Sequence, residues 1–340
     1  MKPTNFAMHL SRYLGSYLPG QSGCSINTVL SYRDAFSLLL IYCRDECKLP
    51  PHKLTLEQID RHLIEGFLKW LESSRGCSTG TRNSRLAAIR AFYSYLQYEA
   101  PQSLERCQEI ISIPNKKAQK KVMSYLTLDE IRALLAQIET DTTAGRRDLT
   151  MLSLLYDTGA RVQELADLTI SDVRLSSPTV IRLTGKGNKV RFVPVMSPTE
   201  KLLRTYLEER DPKYTIHGGY PLFCNREGKK LTRAGVAYIL NKYVAQAQAF
   251  GSISPQTAVS PHVLRHSKAM HLLQSGVNLI YMRDLLGHAD VRTTEVYARA
   301  DERFKREALM LAYPSPSPEP EETAWNKNDD LMDWLKSLGK

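Results

Sequence analysis

The chain has 340 residues, with 46 Lys and Arg against 36 Asp and Glu, and ordinary globular fractions of apolar (42%) and charged (24%) residues. This composition excludes a largely disordered chain and allows two domain cores. Residues 314–340 hold three Lys and six acidic residues, a net charge of −3, so that residues 1–313 carry +13. Such a basic body favours a polyanionic partner, and nucleic acid is the leading candidate.

Apolar stretches are short throughout the sequence. The longest lies near residues 38–43, far below the roughly 20 residues that a membrane helix needs. The first residues lack the apolar region and cleavage site of a secretion signal. The six cysteines are scattered, and neither a His nor a second Cys pair completes a zinc pattern. We therefore expect a cytoplasmic protein with reduced thiols, without a bound metal and without membrane contact.

Residues 1–112 are predicted to form a small helical domain. Apolar residues at helical spacing indicate helices over 27–48, from an N-cap-like Thr55 through residue 71, and over 81–98. The third helix gives this domain a basic side, since it places three arginines on or near one face: Arg82, Arg85 and Arg90.

A linker is predicted at residues 113–123. It contains a proline, has no apolar period and is rich in lysine. Its four lysines make it both a solvated connection and a strip suited to phosphate contact: Lys116, Lys117, Lys120 and Lys121.

Residues 124–312 are predicted to form a second, mainly α-helical domain with a small β-sheet. The strands are predicted at 179–183 and 190–195, joined by a glycine-rich turn that carries Lys186 and Lys189. Helical periods fit residues 129–138, 147–157, 162–168, 198–209, 233–249, 261–275, 279–285 and 292–311.

The last segment, residues 313–340, is an acidic tail. A Pro-rich spacer comes first, and residues 329–338 then fit a short amphipathic helix. Four large apolar residues share one face of that helix: Leu331, Trp334, Leu335 and Leu338.

Four short motifs in the second domain carry residue types suited to phosphate chemistry. A glycine at 159 precedes Arg161 at a helix start, where a guanidinium can approach an anion closely, and Glu164 lies one turn later. The other three motifs are Gly185-Lys186-Gly187, the helical pair His262 and Arg265, and Gly287-His288 followed by Tyr297. Each motif alone is more often incidental than functional.

In this order and combination, the motifs strongly resemble those of the tyrosine site-specific recombinases, also called phage-type integrases. The resemblance covers about residues 124–312 as the catalytic domain and, more loosely, 5–110 as the SAM-like core-binding domain. Xer-like and mobile-element integrases are the nearest types. The resemblance implies a two-domain, C-shaped clamp on DNA. After His266 the family often has a Thr and an apolar residue; Lys268, which departs from that pattern, is expected to meet phosphate.

The resemblance also implies a mechanism. Tyr297 attacks a DNA phosphate, forms a 3′-phosphotyrosine and releases a 5′-hydroxyl, and strand exchange passes through a Holliday junction. Arg161 and Arg265 balance the phosphate charge. Lys186 protonates the leaving oxygen. The phosphotyrosine stores the bond energy and the positive groups replace a metal, so no cofactor is expected.

The remaining polar residues receive supporting roles by the same resemblance. His262 is the expected proton acceptor and later donor, and His288 the hydrogen-bond donor to a phosphate oxygen. Glu164 is expected to orient Arg or His groups, and His266 to be a structural neighbour. Related recombinases pass a C-terminal helix to the next subunit of a cyclic tetramer, so the tail is expected to dock there, with or without a second recombinase or accessory factor. The alternative is a tail helix that folds back on its own domain or stays disordered.

Two other functions share the fold. A catalytically silent DNA-binding accessory protein would not need all six reactive positions, which are filled here. A type IB topoisomerase would use similar chemistry, but the recombinase-like first domain and the short tail favour a recombinase. Relaxation of supercoiled DNA without a specific site would indicate the topoisomerase.

Overall fold

The computed structural model describes residues 2–118, 123–210, 219–288, 290–300 and 335–338. The chain divides into two compact units, Met1–Lys121 and Val122–Lys340, and each has its own apolar core. Within the described ranges, every helix is too short or too polar to cross a lipid bilayer.

The regular secondary structure described for the first unit is all helical. Large aromatic side chains, among them Tyr13, Phe67 and Phe92, are buried at its centre. Its α-helices are α1 (Asn5–Arg12), α2 (Ile26–Asp45), α3 (Arg61–Ser73), α4 (Thr79–Glu99) and α5 (Leu104–Ile111). A wider, π-type segment, Tyr13–Gln21, continues α1 and contains Pro19.

The start of helix α3 differs from the prediction. The capping box at Thr55 exists, but it closes only a 3₁₀ turn, Leu56–Gln58. Ile59 then adopts extended backbone, and the carboxylate of Asp60 accepts a hydrogen bond from a first-turn amide of the new helix. Since aspartate is a strong N-cap, the helix begins at Arg61, and the predicted start at Thr55 is wrong.

The second unit combines helices with a three-stranded antiparallel sheet. Its helices are α6 (Leu128–Ala136), α7 (Thr143–Thr158), α8 (Val162–Ala166), α9 (Ser197–Glu208), α10 (Arg233–Ala249), α11 (Pro261–Gln274), α12 (Leu279–Leu286) and α13 (Arg292–Ala300). Helix α7 lies in the core, with most of its residues buried. Residues 301–311 of the last predicted helix lie outside the described residues.

The sheet has the strand order β1 (Val173–Arg174), β2 (Val180–Thr184) and β3 (Val190–Pro194). The register places Ile181 opposite Val193, and both side chains point into the core. Strand β1 was not predicted, because two residues are too few to show an alternating pattern. The predicted fold class, mainly α with a small sheet in the second domain, is confirmed.

Candidate active site

The site forms where α8, α11 and the connection between α12 and α13 meet in the second unit. Two glycines with left-handed backbone, Gly159 (φ 58°) after α7 and Gly287 (φ 65°) after α12, shape this meeting point. An L side chain would be strained at either position. Their carbonyl oxygens accept hydrogen bonds from Arg265 and Arg161, respectively. The backbone turns therefore hold the two arginines together.

Arg265 is almost fully buried, with 4% of its surface exposed. Its Nη1 donates to the carbonyl of Gly159 at 2.6 Å and its Nη2 to that of Leu286 at 2.7 Å. Burial and the nearby charge of Arg161 lower the pKa of Arg265 to about 10. The guanidinium therefore stays positive at neutral pH and is fixed before any anion arrives, which is the arrangement that stabilises developing negative charge.

Arg161 and Arg191 share one buried carboxylate, that of Glu164. Arg161 Nη1 lies 2.7 Å from Glu164 Oε1, and Arg191 Nη2 lies 2.6 Å from Oε2. Arg191 also donates from Nε to the carbonyl of Leu285. Burial alone would raise the pKa of Glu164, but hydrogen bonds and attraction from the two arginines bring that pKa below its usual value. Glu164 thus orients arginines, and Arg191 joins the site as a residue that sequence reasoning missed.

Replacing Glu164 with Gln should lower the free energy of unfolding at pH 7 by about 2 kcal/mol, because two guanidinium groups lose their buried counter-charge. The folded pKa of Glu164 lies below its unfolded value, so the carboxylate stabilises the fold above the unfolded pKa of about 4.3. That contribution is lost as pH falls through the folded pKa.

Urea unfolding of both proteins from about pH 7 down to about pH 3 measures this difference. The gap between wild type and variant should shrink in acid. A gap independent of pH would contradict the role given to Glu164.

Tyr297 lies inside the site rather than on its surface, with 2% of its surface exposed. Its hydroxyl oxygen is 2.9 Å from Nδ1 of His266, and its ring stacks on that of His288 at a centroid distance of 6.3 Å. Burial raises the pKa of Tyr297, and the charges of Arg265 and Arg161 oppose that rise. The hydroxyl is therefore protonated at rest and surrounded by groups that favour a negative charge. His266, expected to be a structural neighbour, is the hydrogen-bond partner of the Tyr297 hydroxyl.

His288 is held by the helix that bears the tyrosine. Its Nδ1 lies 2.9 Å from Oγ1 of Thr294, which is fully buried in α13. Burial, with the charges of Arg265, Arg161 and Arg191, lowers the pKa of His288 to about 4. The imidazole is neutral at pH 7. If the Thr294 hydroxyl donates to Nδ1, the ring proton stays on Nε2 and is available to an anion.

The two other predicted catalytic residues, Lys186 and His262, lie on segments that also contribute to the cluster or to its cleft. Lys186 lies in the turn between β2 and β3, beside Gly187 in left-handed backbone; its side chain lies outside the described part of the chain. His262 is exposed on the first turn of α11. The hydrogen-bond partner of the Tyr297 hydroxyl is His266, one turn further along the same helix.

An open cleft of about 770 Å³ lies beside the arginines. Four segments line it: the start of α8, the turn between β2 and β3, strand β3, and the end of α12. The lining residues include Arg161, Lys189, Arg191, Gly287 and His288. Positive charge on several sides, with Gly185, Gly187 and Gly287 in the lining, gives a phosphate close access. The exposed Lys189 is well placed for the contact with DNA predicted for it.

The predicted DNA-contact residues of the first unit have varied surroundings. Arg82 donates to the carbonyl of Pro114 and Arg85 to that of Ser31. Arg90 donates to the side chain of Asn115. These three arginines are half-buried, so only part of each guanidinium is open to a phosphate.

The predicted linker lysines differ from one another. Lys116 forms an ion pair with Glu72 at 2.9 Å, and Lys117 is exposed. Lys120 and Lys121 lie outside the described residues.

The surroundings of Lys268 do not agree with the prediction that it contacts DNA phosphate. Its ammonium pairs with the buried carboxylate of Asp157 at 3.2 Å and lies over the ring of Tyr156. Only 15% of its side chain is exposed. Lys268 therefore joins α11 to α7 inside the protein. Because its charge is already balanced by Asp157, Lys268 is not among the proposed DNA contacts.

In the predicted tail helix, Leu331 and Trp334 lie outside the described residues. Leu335 and Leu338 are described and exposed.

The second unit thus holds a buried tyrosine among fixed arginines and histidines, beside a cleft with positive charge on several sides. Two family models match the chain: the phage integrase family over residues 124–303, and the phage integrase N-terminal SAM-like domain over residues 10–100. The chain belongs to the phage integrase family and is a tyrosine recombinase, an enzyme of site-specific DNA recombination. The predicted family and enzyme class are confirmed.

Curated relatives agree with this assignment. The chain is 34% identical to a putative integrase/recombinase (y4rC) of Sinorhizobium fredii, covering 99% of both chains. It is also 34% identical to the tyrosine recombinase XerD of Oceanobacillus iheyensis, covering 88% of this chain and 96% of the relative.

Solved structures share the fold. The integrase of the transposon Tn1549, in complex with a circular intermediate DNA, superposes with a TM-score of 0.71 at 16% identity, covering 89% of this chain and 99% of the other. The XerH site-specific recombinase bound to a palindromic difH substrate gives a TM-score of 0.64 at 24% identity, covering 89% and 85%.

Proposed function

We propose that Tyr297 carries out the cleavage and rejoining of DNA at a specific site. The phenolic oxygen bonds to phosphorus, the bond from phosphorus to the 5′ oxygen breaks, and the 5′ oxygen leaves as a hydroxyl after taking a proton from Lys186. The product is a 3′-phosphotyrosine, which a second 5′-hydroxyl attacks in reverse. Two such exchanges pass through a Holliday junction.

The observation that carries this proposal is the burial of the Tyr297 hydroxyl among groups that favour negative charge. The charges of Arg265 and Arg161 oppose the rise that burial causes in the pKa of Tyr297, which supports a role for both guanidinium groups at the phenol oxygen. A phosphate brought to the same oxygen meets both guanidinium groups. Arginine binds phosphate oxygens in pairs of hydrogen bonds, so the two can balance the charge of a pentavalent transition state.

His288 and His262 complete the proposed set. The neutral ring of His288, supported by Thr294, donates a hydrogen bond to a non-bridging phosphate oxygen. His262, exposed at the first turn of α11, acts as a proton acceptor and donor at the DNA.

The experiment that tests the proposal uses a suicide substrate, a nicked attachment-site duplex whose short 5′ fragment diffuses away after cleavage. Wild-type protein should accumulate a covalent adduct on gels under denaturing conditions. Absence of any adduct on DNA that the protein binds specifically would favour a silent accessory protein. Relaxation of supercoiled DNA regardless of site would favour a topoisomerase.

We propose that residues 1–112 and 124–312 grip DNA from two sides, with the linker 113–123 between them. The exposed Lys117 and Lys189 and the half-buried arginines of α4 support this proposal.

All six cysteines carry free thiols, which supports action in the reducing cytoplasm.

DNA binding should weaken steeply with salt, because each neutralised phosphate releases counterions. With roughly six phosphate contacts, affinity should fall about 1,000-fold between about 50 and about 200 mM salt. Titrations of labelled duplex at several salt concentrations give the slope.

Matched variants make the slope informative. Lys117→Gln should reduce it by about one contact. Lys268→Gln should leave it unchanged, because that ammonium is paired with Asp157. Affinity independent of salt would contradict the clamp.

We propose that four protomers assemble on two DNA sites and that the tail, residues 313–340, links neighbours. The exposed Leu335 and Leu338 support this, since such side chains need a covering surface. A ten-residue helix is too short to be stable alone in water. The spacer, 314–324, extends at about 3 Å per residue, which is enough to reach another protomer.

Deleting residues 325–340, or combining Trp334→Ala with Leu335→Ala, should leave single-site binding intact but weaken synapsis and alter cleavage. Native gels and recombination assays measure both. A Gly/Ser spacer of equal length in place of 314–324 is the control and should behave as wild type. Unchanged synapsis and recombination in the deletion would refute the proposed docking.

A further inference from the structure

The helix α11 places a second histidine, His266, against the hydroxyl of Tyr297. The distance from Nδ1 to the phenol oxygen is 2.9 Å, and the two ring centroids are 5.7 Å apart. His266 lies one turn beyond His262 on the same side of α11, but His266 is half-buried whereas His262, on the first turn, is exposed. The group in hydrogen-bond contact with the nucleophile is therefore His266.

The direction of this hydrogen bond follows from the surroundings. The phenol oxygen carries one hydrogen, and the charged groups that act on it are the guanidiniums of Arg265 and Arg161, which have no acceptor. Among the described residues, Nδ1 of His266 is the acceptor within reach. Burial, together with His262 and Arg265, also lowers the pKa of His266. The neutral ring can therefore accept the phenol hydrogen at Nδ1, with its own proton on Nε2.

We propose that His266 is a further catalytic residue that takes the proton of the Tyr297 hydroxyl as the phenol oxygen attacks phosphorus. The O–H bond of Tyr297 breaks and an N–H bond forms at Nδ1, which gives an imidazolium. The oxygen–phosphorus bond forms while the bond to the 5′ oxygen breaks, and the 5′ oxygen takes its proton from a separate acid, Lys186. In rejoining, Nδ1 returns the proton to the phenolate. This inference rests on the proposed function, in which Tyr297 is the nucleophile.

The two histidines of α11, His262 and His266, have separate roles in this proposal. His266 takes the phenol proton in place of His262, which was given the acceptor role above, and the exposed His262 is left to contact the DNA phosphate. Among the described residues, the groups known to act on the His266 ring are positive or neutral: His262 and Arg265 on its own helix, and His288 and Tyr297 from the facing segments. Nearby positive charge keeps the ring unprotonated until the negative phosphate enters.

Single-turnover cleavage of the suicide substrate tests this proposal with two substitutions. His266→Phe keeps a ring without an acceptor, and adduct formation should slow by 100-fold or more, as for loss of a general base. His266→Asn keeps an acceptor near the position of Nδ1 but cannot take the proton, so cleavage should slow about as much as in His266→Phe. DNA affinity should stay within about twofold for both. An Asn variant as fast as wild type would overturn proton transfer to His266.

The chain offers a matched control on the same helix. His271 makes an equivalent contact, from Nδ1 to the hydroxyl of Tyr156 at 2.8 Å, away from the cleft. His271→Phe should leave cleavage within about threefold of wild type. Equal slowing by His266→Phe and His271→Phe, with equal losses of Tm, would show a structural role and overturn the proposal.

A substrate with sulfur in place of the 5′ bridging oxygen identifies which proton is affected. A thiolate leaves without protonation because thiol pKa values are low. This substrate should restore Lys186→Ala but not His266→Phe. Restoration of His266→Phe would place the residue at the leaving group and overturn the proposal. If instead Tyr297→Phe still forms adducts, the proposed function itself fails, whatever the His266 variants do.

Discussion

Replacing Tyr297 with Phe should abolish covalent protein–DNA adducts while DNA affinity stays within about twofold of wild type. The variant keeps the ring, which packs in a small apolar cluster with Met282 and Leu286 and stacks on His288. It removes only the oxygen that attacks phosphorus. The lost hydrogen bond to His266 should cost about 1 kcal/mol of stability, too little to unfold the domain.

Adducts on the suicide substrate and Kd from duplex titration measure the two halves of this prediction. Tyr281→Phe is the matched control, because Tyr281 is a mostly exposed tyrosine on the neighbouring helix α12. It should form adducts at the wild-type rate. Adducts that persist in the Tyr297 variant, or vanish in the Tyr281 variant, would show that another group is the nucleophile.

Replacing Arg265 with Ala should slow cleavage on the order of 100-fold or more, equivalent to about 3 kcal/mol of transition-state stabilisation. The side chain is buried and held on the carbonyls of Gly159 and Leu286, so its charge is fixed where a phosphate would gain negative charge. Removing it also leaves those two carbonyls without partners, which should cost about 1–3 kcal/mol of stability. Specific DNA affinity should change far less than the cleavage rate.

The companion variant Arg265→Lys separates charge from geometry. Lysine keeps a positive charge but cannot span the two carbonyls and a phosphate at once, so cleavage should recover only in part. Arg132→Ala, an exposed arginine paired with Asp129 on α6, is the neutral control. Single-turnover rates at saturating DNA measure the cleavage step of each variant. The Tm of each variant shows whether it is folded. A near-normal rate for Arg265→Ala would remove that residue from the catalytic set.

Much of the site could be predicted from local sequence. Gly159 before Arg161, and His262 three residues before Arg265, are patterns within one or two turns, and their residue types report chemistry directly. Most helices of the second unit could be predicted for the same reason, because apolar periods and caps act between near neighbours. Helices α1 and α5 of the first unit were not among the predicted elements.

Sequence alone therefore determined the family, the helical fold and the reactive residue types, because these depend on composition and on short spacings. Tertiary structure decided which groups meet. Arg191 reaches Glu164 across 27 residues of chain, and His266 reaches Tyr297 across 31. It also turned Lys268 inward to Asp157 rather than toward DNA. Side-chain direction depends on how helices α7, α11 and α13 pack, and no local pattern encodes that packing.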